Sequence, residues 1–407
     1  MSTTVETTTE IRPFEVEVQQ EEIDDLRRRL ATARWPGKEL VEDPSQGVQL
    51  ATLKAIADYW AKNYDFGRLE ARLNALPQFT TEIDGLEIHF IHVRSQHEGA
   101  LPLIITHGWP GSVIEMLDVI GPLTDPTAHG GDAADAFDVV IPSIPGYGFS
   151  SEPTEVGWNP GRVGQAWVEL MGRLGYTRYV AQGGDQGAGV TDAMGRLAPE
   201  GLLGVHFNFL GAAPRELLMA ALNLRLAWSA DEREQFSKFL AVAMRGYIAE
   251  MGEHPQTIGY PLLDSPIGLA AWMLDHDADS YEKISRAFLD GQPSGNLTRD
   301  NVLDNITLYW LTGTATSAAR LYWEFAQAAP AALKHPPPHV SLPVAYTTFP
   351  GELFQAPRHW VKQAYHNLIY FNEAEKGGHF AAWEEPDVFA GEMRAAFKSL
   401  RTKGGPS

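Results

Sequence analysis

The chain has 407 residues, 44% of them hydrophobic and 21% charged, with a formal net charge of −20, a pI near 5.0 and no cysteine. That size and mixture suit a globular enzyme of two or three domain-sized units, or one large domain carrying insertions. The negative field argues against nucleic acid as a partner, and the missing thiols exclude disulfides, thiolate catalysis and cysteine-ligated zinc.

The opening stretch, MSTTVETTTEIR, is rich in Thr and Glu and is expected to lack order. It has no apolar signal core, and no run of about 18 apolar residues occurs anywhere. The expectation is therefore a cytoplasmic protein without membrane anchor. Helices follow. In EEIDDLRRRLATARWP, Ile23, Leu26 and Leu30 recur at helical spacing, and VQLATLKAIADYWAKNYDFGRLEARLNAL continues the pattern. Residues 1–80 read as a helical N-terminal domain that precedes the first strands and wraps the rest.

TTEIDGLEIHFIHVRS predicts a hairpin turning at Asp84-Gly85. LPLIITHGWPG, FDVVIPSIPGYGFS, RYVAQGGD and LLGVHFNFL each run an apolar strand into a turn. Helices are predicted between them in GSVIEMLDVIGPL, GRVGQAWVELMGRLGY and VTDAMGRLAPE. Buried strands alternating with helices mean βαβ units and a mostly parallel sheet. Residues 81–213 form the first part of this α/β core. After Leu210 the alternation stops. Residues 214–337 read as a helical insertion closing with HPPPH; it is too long for a loop and is expected to form a cap over one edge of the sheet. In 338–407, LPVAYTTFP and NLIYFNEA restore two strands, and PDVFAGEMRAAFKSLR ends the core with a helix. There is no internal repeat.

Within RYVAQGGDQGAGV, Asp185 sits among Gly183, Gly184, Gly187 and Gly189, between a strand and a helix. Ligands of open parallel sheets bind at the carboxyl ends of strands. Gly183-Gly184-Asp185-Gln186-Gly187 matches the nucleophile elbow G-x-S-x-G with Asp in the Ser position. A dinucleotide loop needs G-x-G-x-x-G, and the gaps here come in the wrong order. An Asp that merely caps the next helix is the structural competitor.

Two other residues weigh against that competitor. Glu352, in PGELFQAPRHW, and His379, in KGGHFAAWEEP, each follow a predicted strand on the same side of the sheet. The order nucleophile, acid, histidine is the α/β-hydrolase order. The loop HGWPGS can aim the backbone N–H of Trp109 into the site. Paired with the N–H of Gln186, it would make an oxyanion hole. His107 is expected to brace that loop by hydrogen bonds.

An acid in the serine position has a chemical meaning. A serine attacking saturated carbon would leave an ether, whereas a carboxylate leaves an ester that water can cleave. Asp is ionised at neutral pH unaided, which frees the histidine to activate water in a second step. Displacement at saturated carbon points to epoxides or alkyl halides. An epoxide oxygen needs a proton donor such as Tyr O–H. The insertion offers Tyr247, Tyr260, Tyr281, Tyr309 and Tyr322, and composition does not choose among them. No H-E-x-x-H or similar ligand spacing occurs, so no metal and no organic cofactor is called for.

The chain resembles the epoxide hydrolases of the microsomal type, within the α/β-hydrolase superfamily, from about residue 11 to 400. RPFEVEVQQEEIDDLRRRLATARWP resembles the helical N-terminal domain of that branch. HGWPGS resembles its oxyanion loop and GGDQGAGV its nucleophile turn. DSPIGLAAWMLD and LYWLTGTATSAARLYWEF resemble its cap, and FPGELFQAPRHW and GGHFAAWEEP its acid and histidine loops. The resemblance implies Asp185 as nucleophile, His379 as base, Glu352 as its orienting acid, Tyr247 and Tyr322 as proton donors, and the N–H groups of Trp109 and Gln186 as oxyanion hole. It implies a small-molecule epoxide and water as reactants, in detoxification or secondary metabolism. Two departures are the absence of the anchor that animal members carry and Gln186 where many relatives carry Trp. A haloalkane dehalogenase and a non-catalytic binding protein on the same fold are the alternatives. Substrate, stereochemistry and oligomeric state, a homodimer included, are left open.

Overall fold

The computed structural model describes residues 9–209, 230–334 and 338–401. Among these, nine strands form one sheet in the order β1-β2-β3-β5-β4-β6-β7-β8-β9. β2 (Gln78–Ile83) and β3 (Leu86–Val93) make the expected hairpin, with Asp84 and Gly85 both at positive φ. β3 runs antiparallel to β5 (Phe137–Pro142). From β5 the sheet continues in parallel through β4 (Leu101–Thr106), β6 (Tyr179–Gly183), β7 (Leu202–Phe207), β8 (Val344–Thr348) and β9 (Leu368–Glu373). This is the α/β-hydrolase architecture. Every residue of β6 and β8 is buried, as strands covered on both faces must be, which is why neither alternates between apolar and charged residues.

Two expectations need correction. A strand precedes the helices: β1 (Arg12–Pro13) pairs antiparallel with β2 at Thr80 and Phe79. Proline lacks an N–H and is tolerated at a sheet edge, so this short strand closes the edge without extending it. The expected disordered stretch therefore ends sooner; residues 1–8 lie outside the described residues. The second correction concerns GSVIEMLDVIGPL. It winds as a 3₁₀ helix over Val113–Val119 before a short α-helix, Ile120–Thr124. Pro122 has no N–H to return to Asp118, so a regular α ladder cannot run through the junction.

The helices α1 (Gln20–Ala31), α2 (Leu50–Lys62) and α3 (Phe66–Asn74) each bury one apolar stripe. Ile23, Leu26 and Leu30 are buried as their spacing predicts, and Glu21 and Glu22 open α1 while Arg28 and Arg29 close it, in the sense the helix dipole favours. These helices pack on the inserted helices. Trp60 Nε1 donates to Thr307 Oγ1 (3.0 Å), and Tyr64 Oη to Asp304 Oδ1 (2.8 Å). Arg68 and Arg72 both pair with the fully buried carboxylate of Asp304.

The insertion contains the helices Ala230–Ala243, Gly246–Glu253, Pro255–Asp264, Pro266–Leu274, Ala278–Leu289, Arg299–Thr312 and Ala315–Lys334. The beginning of the expected cap and most of HPPPH, at 210–229 and 335–337, lie outside the described residues. No helix among the described residues is long and apolar enough to cross a membrane.

Candidate active site

The carboxyl ends of β4, β6, β8 and β9 carry the predicted residues into one place. Asp185 opens the helix α6 (Asp185–Leu197) directly after β6 and adopts φ 48°. A left-handed backbone at a non-glycine residue costs on the order of 1–3 kcal/mol and needs close packing to persist. That packing is present. A Cβ on Gly183 would meet Gly187 O at 2.1 Å, and one on Gly187 would meet Thr106 O at 2.1 Å. The glycines are there so that three backbone segments can touch under the turn.

Trp109 follows β4 and donates its backbone N–H to Asp185 Oδ1 at 2.9 Å. Gln186 follows Asp185 in the first turn of α6. Its side-chain Oε1 accepts from Tyr147 Oη at 2.7 Å. The Trp109 loop is held from above by the helix Arg299–Thr312. Asn305 Nδ2 donates to Pro110 O (2.7 Å), Tyr309 Oη to Gly111 O (2.7 Å), and Ser112 Oγ to Asn305 Oδ1 (2.7 Å). His107 accepts from Ile144 N–H at 3.3 Å and has its other ring nitrogen 3.2 Å from Gly108 O. Burial pushes its pKa down to about 4, as suits a neutral brace.

The second oxygen of Asp185 faces imidazoles. His379 Nε2 lies 3.4 Å from Oδ2. On the far side of that ring, Nδ1 lies 2.5 Å from Glu352 Oε1. The loops after β8 and β9 that carry these two residues are clipped together, with Gly351 N–H bonded to Gly377 O at 3.0 Å and a bridge from Gly351 to Gly378. Burial alone would raise the Asp185 carboxyl, but the histidines facing it reverse the effect and hold it below the usual carboxylate range. Burial alone would lower His379; the carboxylates of Glu352 and Asp185 overcome it and hold the ring well above its ordinary value.

Tyr247, on Gly246–Glu253, and Tyr322, on Ala315–Lys334, approach each other with ring centroids 6.0 Å apart. Burial, then the charge of Asp185, pushes both hydroxyls well above the ordinary tyrosine value, so both remain O–H donors. The other tyrosines of the insertion are engaged elsewhere. Tyr260 is 68% exposed. Tyr281 Oη accepts from Gln49 N–H at 2.9 Å, and Tyr309 is committed to Gly111. A cavity of about 20 Å³, near the volume of one water, lies against Asp185 between Trp109, Glu115, Asn208, His379 and Phe380.

One neighbour escaped the sequence reading. His276 is buried, with Nε2 3.9 Å from Asp185 Oδ2 and its ring 4.5 Å from that of His379. It lies in WMLDHDADS, where a histidine between acids at a helix start looks like a solvated cap. Only the approach of the inserted helices to α6 brings it to the nucleophile turn. Asn305 escaped for the same reason.

The comparisons with known proteins agree on one group. Residues 11–116 match the family model described as epoxide hydrolase N terminus. A Stigmatella aurantiaca protein provisionally named an epoxide hydrolase is 50% identical over 397 residues, covering 97% of this chain and 86% of its own. Epoxide hydrolase 1 of Sus scrofa is 37% identical over 401 residues, covering 94% of this chain and 88% of its own. The crystal structure of juvenile hormone epoxide hydrolase from Bombyx mori superposes with a TM-score of 0.85 at 31% identity, covering 99% of this chain and 97% of that one.

Proposed function

The chain belongs to the epoxide hydrolases of the microsomal type, and from that membership we propose that Asp185, His379, Glu352, Tyr247 and Tyr322 perform the hydrolysis of an epoxide to a vicinal diol. Tyr247 and Tyr322 donate hydrogen bonds to the epoxide oxygen. Asp185 Oδ2 attacks a ring carbon; the C–O bond of the ring breaks as the ester bond forms, and the ring oxygen takes a tyrosine proton. Esterification removes the Asp185 charge that helps hold the His379 ring charged, and the ring's proton passes through solvent to the tyrosinate. His379, oriented by Glu352, then removes a proton from water as that water attacks Cγ of the ester. Negative charge develops on Oδ1, where the N–H of Trp109, joined by that of Gln186, receives it. Collapse of the tetrahedral intermediate breaks the ester C–O bond; the departing alkoxide takes the hydroxyl proton of the intermediate, which releases the diol and restores the carboxylate.

The observation that carries this reading is the division of labour on one carboxylate. Oδ1 is already hydrogen-bonded to the Trp109 N–H, while Oδ2 is left facing His379 at 3.4 Å. On the same reading, residues 1–80 form a domain bracing the lid, 81–213 and 338–407 the core, and 214–337 the lid itself. A cytoplasmic location and a homodimer belong to the proposal too, the first resting on the acidic, cysteine-free composition.

A single turnover in ¹⁸O water tests the mechanism. Label is expected in the peptide that carries Asp185, because the first diol takes its new oxygen from the carboxylate. Label in the diol of the first cycle, with Asp185 unlabelled, would overturn it.

A further inference from the structure

His276 is built like His379, and the proposed mechanism does not use it. Its Nδ1 faces Asp277 Oδ2 at 3.1 Å, while Asp277 Oδ1 accepts from Ser280 N–H at 2.7 Å. A carboxylate only accepts, so Nδ1 carries the hydrogen. In the neutral ring Nε2 is then a lone pair. That Nε2 is buried, makes no hydrogen bond, and points at Asp185 Oδ2. His379 shows the same pattern, with Glu352 behind the ring and Nε2 toward the same oxygen.

Two imidazole nitrogens and one carboxylate oxygen therefore converge, all within 4.8 Å of one another. Each ring has a carboxylate on its other nitrogen, which is how metal-bound histidines are commonly held. We propose that Asp185, His276 and His379 form a binding site for a divalent transition cation of the Zn²⁺ class, and that occupancy inhibits the enzyme. Two nitrogens and one oxygen suit Zn²⁺ and its neighbours, whereas Mg²⁺ and Ca²⁺ require oxygen ligands.

The two separations from Asp185 fit this assignment. Zinc bonds of about 2.0–2.2 Å set tetrahedral ligand atoms roughly 3.4 Å apart. The Asp185–His379 pair already stands at 3.4 Å, and the Asp185–His276 pair at 3.9 Å needs only a small closure. The fourth position is left to water. Binding involves no covalent or redox step. It occupies the attacking carboxylate and the base together, so both chemical steps stop. The inhibitory consequence rests on the roles proposed above; the binding itself does not.

Calorimetric titration of the metal-free full-length protein with ZnCl₂ is expected to find one tight site per chain, and MgCl₂ to find none. Anomalous scattering at the zinc edge, in crystals of the unmutated protein, is expected to place the ion between the three side chains. Diol formation should fall over the same zinc range and return with EDTA. His276→Gln should weaken zinc binding about 100-fold and Asp277→Asn about 10-fold or more, with inhibition read against each variant's own metal-free rate. No stoichiometric site, an ion seated elsewhere, or unchanged affinity in a folded His276→Gln would each overturn the proposal. Zinc bound at this point with turnover undiminished would uphold the site and instead overturn the roles given to Asp185 and His379.

Discussion

Trp109 and Asp185, 76 residues apart in the chain, are joined by a hydrogen bond from backbone N–H to carboxylate of 2.9 Å. The bond restrains Oδ1 and leaves Oδ2 to react. Asp185→Asn keeps the shape, and Asn tolerates the left-handed backbone that Asp185 adopts. It removes the anionic nucleophile. Diol formation, followed by chromatography, is expected to fall by about 10⁴-fold or more, with the melting temperature held within a few degrees. A variant that keeps a tenth of the activity would exclude Asp185 as nucleophile.

His379 acts after the ester has formed, so its loss should separate the two steps. In His379→Gln the epoxide is still opened, and water is no longer activated. Intact-protein mass spectrometry should show one substrate mass added to the enzyme within the first turnover, with release slowed about 10²- to 10⁴-fold. Glu352→Gln should slow the same step, because an amide can turn the histidine to the wrong tautomer. An unmodified protein under these conditions would remove His379 from the second step.

Tyr247 and Tyr322 contribute to the first step alone. Each Tyr→Phe change should lower the alkylation rate, read by rapid quench, by about 10- to 100-fold without changing ester hydrolysis. The double variant should lose less than the product of the two, since both hydroxyls serve one oxygen. Loss confined to ester hydrolysis would contradict the assignment.

The strand ends and the order of the three polar residues were legible because each sits in local punctuation: Gly-Gly-Asp after β6, Pro-Gly-Glu after β8 and Gly-Gly-His after β9. Parallel strands then align those ends automatically. Tyr247 and Tyr322 were legible only by resemblance, since a tyrosine in helical text carries no local mark. His276 and Asn305 were not legible at all. Both reach the site through packing of the insertion over the core, a contact between segments about 90 to 195 residues apart that no periodicity encodes. β1 escaped because two residues at a sheet edge leave no alternation to read.

Asp304 ties the N-terminal helices to the insertion, and its carboxylate is fully buried between Arg68, Arg72 and Tyr64. Asp304→Ala leaves Arg68 without its carboxylate partner and Arg72 with Asp118 alone. A buried pair broken on one side typically costs about 3–5 kcal/mol; the arginines here are partly exposed, so the lower end is expected. Urea unfolding should report it. The same helix holds Asn305 and Tyr309 against the Trp109 loop, so the alkylation rate should fall as well. A stability change below about 0.5 kcal/mol, the scale of an ordinary surface substitution, would show that the network is not a tie.

Acid should destabilise the fold well above the range where carboxylates titrate. Burial pushes His89 and His206 down to about 3, and His92 and His107 down to about 4. The unfolded chain protonates these rings near pH 6.5, so it binds more protons than the native state below that point, and stability falls with pH. Glu115 works in the opposite direction: burial raises its carboxyl to about 8, so between pH 6 and 5 it is protonated when folded and ionised when unfolded. His379, held well above its ordinary value, is protonated in both states there and drops out. Burial raises the Glu384 and Asp275 carboxyls as well, in the same sense as Glu115; the four histidines outweigh these groups, so unfolding takes up protons and stability falls with pH across that window. Guanidinium midpoints between pH 6 and 5 should follow that fall. His206 is joined to Thr347 Oγ1 by a single bond of 3.0 Å, and His206→Asn should flatten the slope by about one proton. A flat profile, or stability that rises as the pH falls, would mean that these rings are already charged in the native protein.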